Sequence, residues 1–120
     1  LGFYTVVGAP NILRGGSHSG NMSAAEAVQA GCADILCSDY YPPAILHGVF
    51  LLHSKYGLPL PEVVRKATRN PALAVGLSDY GEIAPGRKAD LLIVEILDNY
   101  PVITHVLVDG RATSRVEYRR

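Results

Sequence analysis

The stretch Ala33–Leu46, ADILCSDYYPPAIL, decides the fold. Its first five residues are a short apolar run of the kind that forms a buried strand, and Ser38-Asp39-Tyr40-Tyr41 interrupts that run with polar groups. Pro42-Pro43 then marks a helix start, after which Ile45, Leu46, Val49, Phe50 and Leu52 trace a helical face to about Tyr56. Strand, polar loop and helix follow one another without a spacer.

The same order stands upstream. Phe3–Ala9, FYTVVGA, is apolar and rich in β-formers, and Pro10-Asn11 closes it, so a second buried strand is predicted there. A polar, glycine-rich loop follows, with Gly15-Gly16-Ser17-His18-Ser19-Gly20-Asn21 at its centre. Glycine pairs let a backbone come close to a ligand, and Ser, His and Asn supply short polar groups to hold one. Ser23 with Glu26 has the capping-box spacing, which predicts a helix over Ala24–Ala30 ended by Gly31.

Two such units imply parallel strands, and parallel strands are normally buried inside a sheet with more neighbours than this chain supplies. In a (β/α)8 barrel the active-site loops follow the carboxyl ends of the strands, where both polar loops fall. The expected class is therefore α/β: a C-terminal fragment of a TIM barrel, its last two βα units and following helices occupying residues 1–80. Pro61 fits the first turn of a helix through Thr68, and Asn70-Pro71 reads as the cap and first residue of another, closed by Gly76. Beyond Gly81 the pattern changes to strands at Leu91–Val94, Val102–Val108 and Thr113–Glu117, with Asp109-Gly110 as a hairpin turn. Residues 81–120 are expected to be part of a small antiparallel β-domain.

Composition narrows the function classes. Eleven basic and eleven acidic residues balance to a net charge of zero, which leaves no electrostatic footprint for nucleic acid or an anionic membrane. No apolar run reaches the roughly 20 residues that span a bilayer. Cys32 and Cys37 match no common zinc spacing and make a poor disulfide framework, so reduced thiols and a cytoplasmic location are expected. The opening Leu1-Gly2-Phe3 has neither an initiator Met nor a signal-peptide n-region, so the sequence is expected to begin inside a longer protein.

With these residues in view, the stretch Asn70–Glu95, NPALAVGLSDYGEIAPGRKADLLIVE, resembles the closing segment of metal-dependent amidohydrolases. More narrowly, GAPNILRGGSHSGNMSA (8–24) together with DILCSDYYPPAIL (34–46) resembles the family of alpha-D-ribose 1-methylphosphonate 5-triphosphate diphosphatases of the carbon-phosphorus lyase pathway. The resemblance implies hydrolysis of a triphosphate to a 5-phosphate and pyrophosphate at a divalent metal centre, with zinc expected. It places Asp39 at the metal, as catalytic carboxylate and ligand. The Arg14 guanidinium, the backbone around Gly15 and Gly16, and Ser17, His18, Ser19 and Asn21 would then meet the oxygens of a phosphorylated small-molecule substrate. The strands that carry the superfamily's histidine ligands are absent, so a fragment that self-associates to hide its strand edges, and is inactive alone, is expected.

Plainer readings stand beside these. Asp39 could cap the helix that begins at Pro42, and His18 could be a solvated loop residue. Tyr40 and Tyr41 either line a pocket or pack beneath it. His47 and His53, six apart, do not share a helix face and read as ordinary helix residues; His105 reads as a sheet-surface residue, and Arg87-Lys88 as a solvated loop. Another amidohydrolase acting on a cyclic amide or nucleobase would use the same Asp39, and a non-catalytic association domain would use neither loop.

Overall fold

The computed structural model describes residues 3–14 and 23–118. The first strand, β1, is Val6–Gly8, and it runs parallel to β2, Ile35–Cys37, in the register Val6↔Ile35, Val7↔Leu36 and Gly8↔Cys37. β1 is shorter than the sequence suggests, and Phe3 stays 87% exposed. The chain leaves the strand at Ala9 because Pro10 has no N–H to give a ladder and its fixed φ suits the first turn of a helix. That helix, α1, is Ala9–Arg14, where a loop had been expected; it buries Ile12, and Arg14 stands in its last turn, where a cation suits the helix dipole.

α2, Ala24–Gln29, forms as its capping box requires: Ser23 is the N-cap, and its Oγ accepts from the Glu26 N–H at 3.1 Å. Gly31, at φ 73°, ends it, and the Cys32 N–H returns to the Ala27 carbonyl at 2.9 Å. α3, Ala44–Ser54, follows β2 as predicted. Gly48 lets it approach α1 closely, since a Cβ there would lie 3.5 Å from that of Ala9. α4 is Leu60–Ala67 and α5 is Arg69–Ala74. The N-cap of α5 is Thr68 and not Asn70, which lies inside the first turn and donates through Nδ2 to the Asp34 carbonyl at 2.7 Å. Ile12, Ala24, Ala25, Val28, Leu36, Val49, Leu52 and Val63 make one core between the parallel pair and the helices.

The amino ends of the two strands are tied by Thr5 and Asp34. The Thr5 N–H donates to Asp34 Oδ2 at 2.9 Å, its hydroxyl shares a proton between the same oxygen and the Cys32 carbonyl, and the Asp34 and Ile35 N–H groups both donate back to the Thr5 carbonyl. Lys66 of α4 adds a bond from Nζ to the Ala33 carbonyl at 2.6 Å.

The rest of the chain is a three-stranded antiparallel sheet: β3 Leu91–Leu97, β4 Tyr100–Val108 and β5 Arg111–Arg115, in that order. Both connections are two-residue turns with left-handed residues throughout, Asp98-Asn99 (φ 50° and 66°) and Asp109-Gly110 (φ 52° and 79°), which suits the right-handed twist of the flanking strands. The strands extend further than their apolar runs, and the second hairpin follows its Asp-Gly signal directly, so β5 starts two residues earlier than expected. Thr104 and Thr113 are the extra residues where the two ladders slip, and each hydroxyl donates to the facing strand, to the Ile93 and Val106 carbonyls.

Candidate active site

Asp39 is two residues beyond the carboxyl end of β2, at φ 54°. Aspartate is among the few residues that accept the left-handed region. The turn swings its side chain over the carboxyl end of β1, so that a Cβ built on Gly8 would lie 3.4 Å from Asp39 Oδ2. The helix-cap reading is not met: the N-cap of α3 is Pro43, and no side chain caps that helix. The carboxylate is exposed, and no hydrogen bond or ion pair holds it among the described residues. A carboxylate held at the mouth of two parallel strands without a structural partner is free to meet a ligand.

Of the loop residues expected to bind phosphate, Gly15, Gly16, Ser17, His18, Ser19 and Asn21 lie outside the described residues. Arg14 is described and exposed at the end of α1. Sequence reasoning missed Asn11, whose Oδ1 accepts from the Ala24 N–H at 2.8 Å. This bond joins α1 to α2 across the base of the loop and brings its two ends together. The signal was present: proline early in the run, Ile12-Leu13 within it, a basic last turn and Gly15-Gly16 after it are a helix's start and stop. Asn11 and Ser23 also occupy first-turn donors of α2, which removes those N–H groups from any anion site.

Tyr40 and Tyr41 are 70% and 50% exposed, so they do not pack beneath the site. His47 meets Tyr100 edge to face at 6.2 Å, and His53 Nδ1 donates to the Leu58 carbonyl at 2.7 Å. His105 is half-buried, its Nδ1 2.9 Å from Thr104 Oγ1. Arg87 pairs with Glu82 at 3.0 Å and Lys88 with Asp109 at 3.9 Å. Both cysteines are free. A cleft of about 380 Å³ on the three-stranded sheet, lined by Glu95, His105, Arg115 and Glu117 among others, includes neither Asp39 nor Arg14.

Among the titratable groups, Asp34 stands out at the opposite end of the strands. The Thr5 backbone N–H, then the Thr5 hydroxyl, hold its carboxyl below the usual carboxylate value, with a smaller contribution from Lys66. Its position at the amino ends marks it as part of the frame.

Comparison with known proteins places the chain in a family. The chain is 45% identical over 112 residues to the alpha-D-ribose 1-methylphosphonate 5-triphosphate diphosphatase of Escherichia coli, covering 92% of this chain and 30% of that protein. It is 34% identical over 109 residues to the adenine deaminase of Methanothermobacter thermautotrophicus, covering 88% of this chain and 20% of that one. The chain thus spans less than a third of either relative. Among solved structures, enamidase, a member of the amidohydrolase superfamily, superposes with a TM-score of 0.68 at 24% identity over 96% of this chain and 34% of that one. An amidohydrolase from Thermotoga maritima gives a TM-score of 0.60 at 25% identity over 77% of this chain and 26% of that one. These neighbours give the parallel pair its place as a segment of a TIM-type barrel, with the antiparallel strands belonging to a small β-domain. The model of the amidohydrolase family matches residues 13–113, and the chain belongs to that family.

Proposed function

We propose that the complete protein hydrolyses alpha-D-ribose 1-methylphosphonate 5-triphosphate to the 5-phosphate and pyrophosphate, in phosphonate catabolism in the cytoplasm, and that Asp39 is its proton acceptor. The observation that carries this reading is the Asp39 carboxylate, bare and uncapped at the carboxyl ends of β1 and β2. Water attacks phosphorus, a new P–O bond forms, and the bridging P–O bond between the first and second phosphates breaks. Pyrophosphate leaves with that electron pair, and the water proton passes to the Asp39 carboxylate. Arg14, in the last turn of α1, and the loop Gly15–Asn21 meet the phosphate oxygens; charge-assisted bonds of this kind are worth about 1.5–3 kcal/mol.

Amidohydrolases are generally metal-dependent. A divalent ion, zinc in our reading, would have Asp39 as one oxygen ligand. Among the described residues no three His, Cys, Asp or Glu side chains gather to hold one, so Asp39 would be the single ligand that these residues supply. Residues 1–80 act as the barrel segment and 81–120 as the β-domain segment, and copies associate through the free edge of β3.

The adenine deaminase relatives favour a second reading, hydrolytic removal of ammonia from a nucleobase at the same Asp39. Assaying the complete enzyme for pyrophosphate release from the ribose triphosphate and for ammonia release from adenine separates the two. Pyrophosphate release that vanishes in Asp39→Asn supports the first reading; ammonia release alone replaces it with the second.

A further inference from the structure

We infer that Gly8 is a positioning residue, whose missing side chain keeps one flank of the Asp39 carboxylate bare. The inference rests on the role proposed for Asp39. The other described glycines answer to recognisable demands. Gly31, Gly57, Gly76, Gly81, Gly86 and Gly110 have positive φ, and Gly48 lets two helices approach. Gly8 answers to neither. It is not among the residues with positive φ, and it ends a β-strand, where glycine is a poor choice because it loses more conformational freedom on folding than alanine would.

What a side chain at Gly8 would meet explains the choice. Apart from its chain neighbours, the three heavy atoms of the described residues nearest to a Cβ built there all belong to Asp39: Oδ2 at 3.4 Å, Cβ at 3.7 Å and Cγ at 3.9 Å. Among the described residues such a methyl group strikes no backbone and no core side chain, so the fold itself is expected to accept alanine. It would instead lie against Oδ2, on the side facing the end of β1, and in the proposed role that is the flank on which water or a phosphate oxygen meets the carboxylate. Glycine at this position sacrifices local stability and leaves the acceptor oxygen accessible.

The test uses four forms of the complete enzyme: wild type, Gly8→Ala, Asp39→Asn and the double variant, assayed with alpha-D-ribose 1-methylphosphonate 5-triphosphate. Gly8→Ala is expected to melt at or above the wild-type temperature, because alanine narrows the unfolded ensemble. Its KM should stay within about threefold while kcat falls about 10- to 100-fold, the scale of a misplaced reacting group. In the Asp39→Asn background the same methyl should cost no further activity, since the group it obstructs is gone. Wild-type kcat in Gly8→Ala alongside a dead Asp39→Asn would overturn the role of Gly8 and leave Asp39 standing. A lowered melting temperature, or a loss that persists undiminished in the double variant, would assign the glycine to structure and overturn the inference as well. Wild-type turnover in Asp39→Asn would remove the reading beneath it.

Discussion

Asp39 holds a left-handed backbone that asparagine adopts as easily as aspartate, so Asp39→Asn changes the charge and leaves the turn intact. In the complete enzyme its turnover should fall about 10²- to 10⁴-fold, the contribution of a positioned general acid or base, at an unchanged melting temperature. Steady-state assays paired with calorimetry check both halves. Arg14→Ala should instead raise KM with little change in kcat, because the guanidinium is proposed to bind phosphate in ground and transition state alike. Substrate-saturation curves read this, and lost kcat at constant KM would count against it. The place of Asp39 was legible in sequence, since a polar group directly after a buried run must emerge at a strand's end. That it caps nothing was not legible, because Asp39-x-x-Pro42 suits a helix cap equally well, and only the actual start of α3 after Pro43 separates the two.

The elements were read best where local chemistry dictates them and worst where tertiary contacts do. Ser23 with Glu26 and Asp109-Gly110 satisfy their bonds within a few residues, so capping box and hairpin stand where expected. The Thr5 and Asp34 bonds join residues 29 apart, and no periodicity announces them. This frame makes a pH prediction. A carboxyl whose folded value is depressed adds stability that is fully present above its unfolded value of about 3.9 and is lost as pH falls through the lower folded value. Melting temperature measured from pH 7 to pH 2 should therefore drop through this acid window, and Asp34→Asn should flatten that part of the drop. Gly81 is the second element-scale case. At φ 94° a Cβ there would lie 2.8 Å from the Thr68 carbonyl oxygen and 2.9 Å from Arg69 Cα, at the start of α5. Gly81→Ala should destabilise by at least about 2 kcal/mol, through left-handed strain and the backbone clash together, as denaturant unfolding will show.

At the scale of the molecule, the Cα radius of gyration is 15.0 Å, against about 13.6 Å for a compact domain of this length. The excess fits a three-stranded sheet standing off the helical core, with Leu92, Ile93 and Ile96 of β3 about half exposed on both faces. The two sheet edges differ. β5, RATSR, is fully exposed and carries two arginines, whereas β3, LLIVEIL, has one charge and an edge that no other strand pairs among the described residues. Light scattering of the 120-residue chain should show a dimer or larger species, shifted toward monomer by Ile96→Lys; monomer in both would refute association through β3. The shortage of parallel neighbours was legible from two strand-loop-helix units alone, but how the antiparallel sheet sits was not, because the contact of His47 with Tyr100 joins distant segments. The two left-handed turns also bear on time. Each hairpin closes over two residues and can form in about 1–10 μs, while pairing β1 with β2 must first close a far longer loop and order two helices. The antiparallel hairpins should thus become structured before the parallel pair, and hydrogen exchange pulsed during refolding should protect Val102–Val108 before Ile35–Cys37.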